Sequence, residues 1–188
     1  MRVMKTVLES ISPYSQGKHV AAEKLDRELP DDYEKRTWRD RMHTDDKGFV
    51  FIPPMAFKNC LSEAAKFISM QIPGKGKSTF TKHFEAGILV LEGLSLPVKK
   101  EAVAGNWLYV PADGKRGGSK RVSRCFPTIP SWKGEVTFHV LDDIITLPTF
   151  KEHLEAAGKF IGIGVFRPRN NGFYGRFQVK SVKEEKIG

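Results

Sequence analysis

Residues 131–182, SWKGEVTFHVLDDIITLPTFKEHLEAAGKFIGIGVFRPRNNGFYGRFQVKSV, read as strand, helix, glycine-rich loop and strand. Over 131–141, Val136, Phe138 and Val140 alternate with Glu135, Thr137 and His139, the period-two pattern of a half-buried strand. Thr146 to Lys159 carries Phe150, Leu154, Ala157 and Ile161 at helical spacing. Pro148 falls in its first turn, where a missing N–H costs nothing, and Gly158 sits near its end. Residues 173–182 alternate again. Phe173, Phe177 and Val179 share one face, and Tyr174, Arg176, Gln178 and Lys180 share the other.

The first half of the chain repeats this plan with interruptions. Residues 2–11 form a strand ended by Ser12-Pro13, and 12–32 are polar and loop-like. Residues 33–43 fit a strand or a short helix. The turn Asp45-Asp46-Lys47-Gly48 into Phe49–Ile52 favours a strand, and so a hairpin. Pro53-Pro54 opens a helix whose stripe is Phe57, Leu61, Ala64, Ile68 and Ile72. A basic loop at 73–83 leads to a long strand at 84–96. A short strand at 107–110 and a second basic loop at 111–130 follow. Without the hairpin the order is β-α-β-β-α-β, an α+β ferredoxin-like antiparallel sheet with two helices on one face. The reading is one domain with insertions at 12–50 and 97–130. The row Tyr174, Arg176, Gln178, Lys180 suits the open face.

Charge is unevenly placed. The chain carries a formal +9, with 40% hydrophobic and 28% charged residues, which suits a globular protein. Residues 73–133 hold 11 Lys/Arg against 4 Asp/Glu, and residues 160–180 hold Arg167, Arg169, Arg176 and Lys180 with no acid. The rest of the chain is slightly acidic. Clustering of this kind points to a polyanionic partner.

Three basic segments are candidates for that contact. The loop Gly162 to Arg176 packs four glycines and three arginines into 15 residues. Its glycines permit close backbone approach to a phosphate. Arg167, Arg169 and Asn170 supply donors, and Phe166, Phe173 and Tyr174 supply stacking faces. The alternative is a plain helix-to-strand connection. The loop Asp113 to Arg124 contributes Lys115, Arg116, Lys120, Arg121 and Arg124, flanked by Trp107, Tyr109, Phe126 and Trp132. It fits a flexible clamp on a strand, or a solubility loop. Lys75, Lys77, Lys82 and His83 form the third.

Other chemistries fit less well. Gly74-Lys75-Gly76-Lys77-Ser78 imitates the end of a P-loop. Gln71 stands where its first glycine is needed, and the segment follows a helix rather than a strand, which excludes an NTPase. Cys60 and Cys125 share no metal-ligand spacing with any histidine, so neither a metal nor another cofactor is expected. Two cysteines, no visible signal peptide and no long apolar run fit a reducing cytoplasm. Paired acids at 31–32, 45–46 and 142–143 read as turn and cap residues. His19, beside Tyr14 and Lys18, is a candidate general acid or base for RNA cleavage.

Two stretches resemble a known group. Val50-Phe51-Ile52-Pro53-Pro54-Met55-Ala56-Phe57-Lys58-Asn59-Cys60-Leu61 is similar to the strand-into-helix segment of the RAMP superfamily. Pro54-Met55-Ala56 replaces its small polar residues, and Asn59 a usual glycine. Gly162-Ile163-Gly164 through Gly172-Phe173-Tyr174-Gly175-Arg176-Phe177 is similar to that superfamily's C-terminal glycine-rich loop. The group includes CRISPR guide-RNA backbone subunits and repeat-processing endoribonucleases. The resemblance implies a ferredoxin-like fold, Lys58 and Arg176 near the nucleic-acid backbone, and a thumb-like basic hairpin at 111–126. The overall wording also resembles proteins of phages and other mobile elements.

The sequence therefore leads to a non-catalytic binder of single-stranded RNA or DNA, with self-association along the strand, no cofactor and no membrane. The alternatives are a metal-independent endoribonuclease built on His19, and a phage accessory protein that binds an acidic partner.

Overall fold

Met4, Thr6 and Leu8 of β1 (Arg2–Ser10) are buried, while Lys5, Val7 and Glu9 between them are half-covered. A strand of period two thus has one face in the core. The computed structural model describes residues 1–114, 117–118 and 120–186. After β1 come α1 (Pro30–Thr37), β2 (Phe49–Ile52), α2 (Pro54–Ile68), α3 (Thr81–Ala86), β3 (Ile88–Leu89), β4 (Leu94–Lys99), β5 (Ala104–Pro111), β6 (Arg121–Thr128), β7 (Lys133–Val140), α4 (Leu147–Ala156) and β8 (Phe177–Lys186). The architecture is α+β with antiparallel sheets.

Four strands form the main sheet in the order β3-β7-β1-β8. Met4 lies opposite Phe138, Thr6 opposite Val136 and Ser10 opposite Phe177, so the apolar positions of three strands share a face. α2 and α4 pack together over that face. Phe150 meets Phe138 edge-on at 5.3 Å, Phe57 meets Trp132 at 6.2 Å, and Trp132 lies 6.1 Å from Phe177. Aromatic pairs at such separations add to the burial of their own area.

Four expectations are corrected. Residues 33–43 are not a strand: α1 and a 3₁₀ turn at Trp38–Arg41 occupy them. Pro30 starts the helix, Asp31 and Asp32 sit in its first turn, and Lys35 and Arg36 in its last, which suits the helix dipole. β2 pairs with β4, while the expected turn at Asp45–Gly48 is present and closes with a short bridge of Thr44 to Val50. The segment 84–96 is not one strand. Phe84 is buried in α3 and stacks on His153 at 4.1 Å, and the remainder divides between β3 and β4, which belong to different sheets. The basic loop at 111–130 is not all loop: Arg121–Thr128 is a strand, β6, and β5 and β6 form a hairpin paired from Ala104↔Thr128 to Pro111↔Arg121. Finally, β8 begins at Phe177, so Tyr174 and Arg176 are not on the sheet.

The open face of the main sheet is therefore not a stacking platform. Lys5 pairs with Glu185 at 2.9 Å, and Glu9 collects Lys180 at 3.3 Å, Lys133 at 3.7 Å and the Gln178 amide at 2.9 Å. Among the described residues this face carries no Phe, Tyr or Trp, and Lys5, Lys133 and Lys180 are paired across strands with Glu185 and Glu9.

The hairpin is held against the body by one carboxylate. Glu34 of α1 is buried and accepts bonds from Arg41 at 2.6 and 2.9 Å, from Arg124 at 2.9 Å, and from the Cys125 amide at 2.8 Å. It thus satisfies an edge N–H of β6 that no strand pairs. Burial opposes ionisation, but the bonds from Arg41, Cys125 and Arg124 outweigh it and hold the carboxyl below its ordinary 4.5. A folded value below the unfolded one gives stability that is complete above about pH 4.5 and is lost as pH falls through the folded value. Glu34→Ala is expected to cost about 3 kcal/mol at neutral pH, because its partners lose their acceptor. Urea titration measures this, and the gap to the unsubstituted protein should narrow below about pH 4; a pH-independent gap would contradict the assignment.

Candidate nucleic-acid interface

Alternation along the hairpin sends its side chains two ways. Trp107 and Tyr109 of β5 point to the α1 side and are 45% and 72% exposed. Asn106 and its partner Phe126 point to the opposite side. Lys120 and Arg121 are exposed at the base of the tip, and Arg124 is half-buried on Glu34. Lys115 and Arg116 lie outside the described residues. Cys125 is buried beneath the hairpin, its thiol pushed up to about 11 chiefly by burial and also by Glu34. It is a packing residue.

The glycine-rich loop follows a π-helical turn at Ala157–Ile161 and runs back along the segment after β1. Val165 N–H donates to Ser15 O at 3.1 Å, Gly175 N–H to Pro13 O at 2.7 Å, and Ile163 N–H to Gly175 O at 3.0 Å. Its glycines are needed for this packing. Gly164 has φ +78°, and a Cβ there would stand 2.1 Å from Ser15 O; Gly175 has φ +76°, and its Cβ would stand 1.9 Å from Ile163 O. The expected role, a glycine backbone open to a phosphate, is thus corrected at these two positions: the room is already taken by the chain itself.

What the loop offers outward is aromatic. Phe166 holds a left-handed φ of +55°, unfavourable for a bulky side chain. Its carbonyl accepts Tyr174 N–H at 2.9 Å. The Phe166 ring meets Phe126 of the hairpin at 4.7 Å and Tyr174 at 6.1 Å, and Tyr174 meets Phe173 at 5.1 Å. Asn106 donates its amide to the Tyr174 hydroxyl at 3.3 Å. Hairpin and loop, more than 30 residues apart in sequence, thus share one aromatic cluster. Phe173 is 57% exposed, and Arg169 and Asn170 are exposed on the adjoining 3₁₀ turn Pro168–Asn170.

Several residues chosen from the sequence lie elsewhere or are already engaged. Lys75, Lys77 and Lys82 are exposed, but their loop sits at the Arg2 end of the main sheet, where His83 Nδ1 lies 2.6 Å from Asp142 Oδ2. The aromatic cluster is at the Ser10 end, roughly 25 Å away along β1 at the usual rise per residue. Lys58 donates to Ser62 Oγ at 2.9 Å and Glu85 O at 2.6 Å, joining α2 to α3. Arg167 pairs with Glu63 of α2 at 2.9 Å, and Arg176 donates to Lys159 O at 3.3 Å. Trp107 is exposed on the other side of the hairpin. His19 is exposed, while Tyr14 is buried and burial pushes its phenol well up. The sequence list omitted Asn106 and Phe126. Only their even-numbered alternation with the exposed Trp107 and Arg121 hinted at a second face.

No family model and no curated protein matches the chain. Among solved structures, the chain is similar to Cmr6 from Pyrococcus furiosus, at 12% identity and a TM-score of 0.49, over 95% of this chain and 99% of that one.

The division of labour in the loop is testable by stability alone. Gly164→Ala or Gly175→Ala should lower the unfolding free energy by about 2 kcal/mol or more, because each adds a backbone clash and a disfavoured φ. Arg169→Ala should leave it within about 0.5 kcal/mol, as an exposed substitution. Calorimetry on the three variants checks both.

Proposed function

We propose that the chain is a non-catalytic binder of single-stranded nucleic acid, with a RAMP-like, ferredoxin-like core, that lays a strand across the junction of the β5–β6 hairpin and the glycine-rich loop. The observation that carries this reading is the shared aromatic cluster of Phe126, Phe166, Phe173 and Tyr174. Exposed rings beside exposed cations are what a sequence-tolerant single-strand site requires, since every base has a face to stack and every nucleotide a charge to neutralise. Phe173 and the accessible edges of Phe166 and Tyr174 take bases. Arg169 and Lys120 take phosphates.

The core reading is supported by the strand order β3-β7-β1-β8, in which α2 lies in sequence between β1 and β3 and α4 between β7 and β8, both packed on one face of the antiparallel sheet. It is supported also by the position of the glycine-rich loop between the last helix and the last strand. Either RNA or DNA meets the chemistry of the site, and successive copies along one strand are compatible with it.

Binding of a labelled 15-nucleotide single strand, followed by fluorescence anisotropy, tests this. With about two phosphates neutralised, log affinity should fall against log salt with a slope of about −1.4. Phe173→Ala should weaken binding about tenfold without loss of fold. Binding that is absent at low salt, or indifferent to salt, would overturn the reading.

A further inference from the structure

The α1 side of the hairpin holds a cavity of about 360 Å³ that the aromatic cluster does not use. Its walls include Tyr33 and Tyr109, with Lys24, Arg121, Arg124 and Asp31 around them. The volume lies at the small end of the range for small-molecule sites. We propose that this cavity is a nucleotide pocket, taking one purine base against the tyrosines and its phosphate against Lys24 and Arg121.

Each wall has a reason to serve that ligand. The Tyr33 ring is fixed in place, because its hydroxyl donates to Ala22 O at 2.7 Å. Lys24 and Arg36 lie 5.9 and 5.6 Å from its centroid, so the ring already stands in cationic surroundings. Tyr109, by contrast, is 72% exposed and covers nothing. An exposed tyrosine on a paired strand, facing a fixed one across a cavity, offers a flat ligand a stacking surface at small entropic cost.

The polar groups divide by sign. Arg121 donates to the Tyr109 main-chain O at 3.2 Å and keeps further donors to spare. Lys24 is exposed. Arg124 is different, since its guanidinium is occupied by Glu34 at 2.9 Å and adds positive field rather than a free donor. Asp31, exposed at the start of α1, can only accept, and it repels a phosphate. A nucleotide therefore has one favoured orientation, with the exocyclic amino group toward Asp31 and the phosphate toward Lys24 and Arg121. An aromatic ring with donor N–H groups and one anionic end describes an adenine nucleotide better than a sugar, a fatty acid or a peptide. The same chemistry is met by a free mononucleotide and by one nucleotide of a bound strand.

The pocket lies on the opposite side of the hairpin from the aromatic cluster, so the two sites fail separately. Adenosine monophosphate titrated into the intact chain, followed by ligand-observed NMR, should bind in the millimolar range. Tyr109→Ala should weaken it about tenfold and Arg121→Ala several-fold, with circular dichroism unchanged. Phe173→Ala should leave it unchanged. Ribose 5-phosphate, which lacks the base, should bind at least tenfold more weakly. If adenosine monophosphate does not bind, if Tyr109→Ala binds it as well as the unsubstituted chain, or if ribose 5-phosphate binds equally, the pocket is not a nucleotide site. The single-strand assay then separates the sources. A Tyr109→Ala loss of similar size assigns the pocket to a base of the strand, and an unchanged affinity assigns it to a free nucleotide.

Discussion

The carboxylate of Glu34 joins three elements that would otherwise separate: α1, the 3₁₀ turn that carries Arg41, and the edge of the β5–β6 hairpin. A two-stranded ribbon is marginal by itself in water. Here its edge N–H at Cys125 and its cation at Arg124 share one buried acceptor, and the Cys125 side chain fills the space beneath. That anchoring puts Phe126 where the Phe166 ring can meet it. The aromatic cluster and the pocket on the opposite side both depend on the hairpin standing at this place. The desolvation of Glu34 is a real cost, and it is offset only because every bond around the carboxylate is made.

Much of the frame was legible. The alternation of 2–11 and 131–141 and the stripes of α2 and α4 predict four elements at nearly their observed bounds, because each is a surface with one wet and one dry side. The failures share a cause. Residues 33–43 have no clear period, and their outcome was decided by Glu34, whose partners Arg124 and Cys125 are 90 residues away. The run 84–96 is mostly apolar with Glu85 and Glu92 at no strict period, which does not separate a strand from a buried helix turn. Phe84 on His153 made that choice. Tyr174 and Arg176 alternate as if in a strand, but the backbone around them is bonded to Phe166 and Pro13 instead.

The site was legible in composition and not in geometry. Charge clustering located the hairpin and the loop, but it did not distinguish cations that face solvent from those that hold elements together. Arg167 on Glu63 and Lys58 on Glu85 are of the second kind. The glycines, too, belong to folding more than to ligand contact, since Gly164 and Gly175 let the loop lie flat on the segment after β1. What remains for a ligand is an aromatic surface edged with a few exposed cations, on a body whose open sheet face ties up several of its charges in cross-strand ion pairs.

The most direct measurement is ultraviolet cross-linking of a bound single strand followed by identification of the linked residues. The account predicts cross-links in the cluster of Phe126, Phe166, Phe173 and Tyr174. Cross-links confined to the open face of the main sheet, among residues such as Lys5, His139 and Lys180, would contradict it.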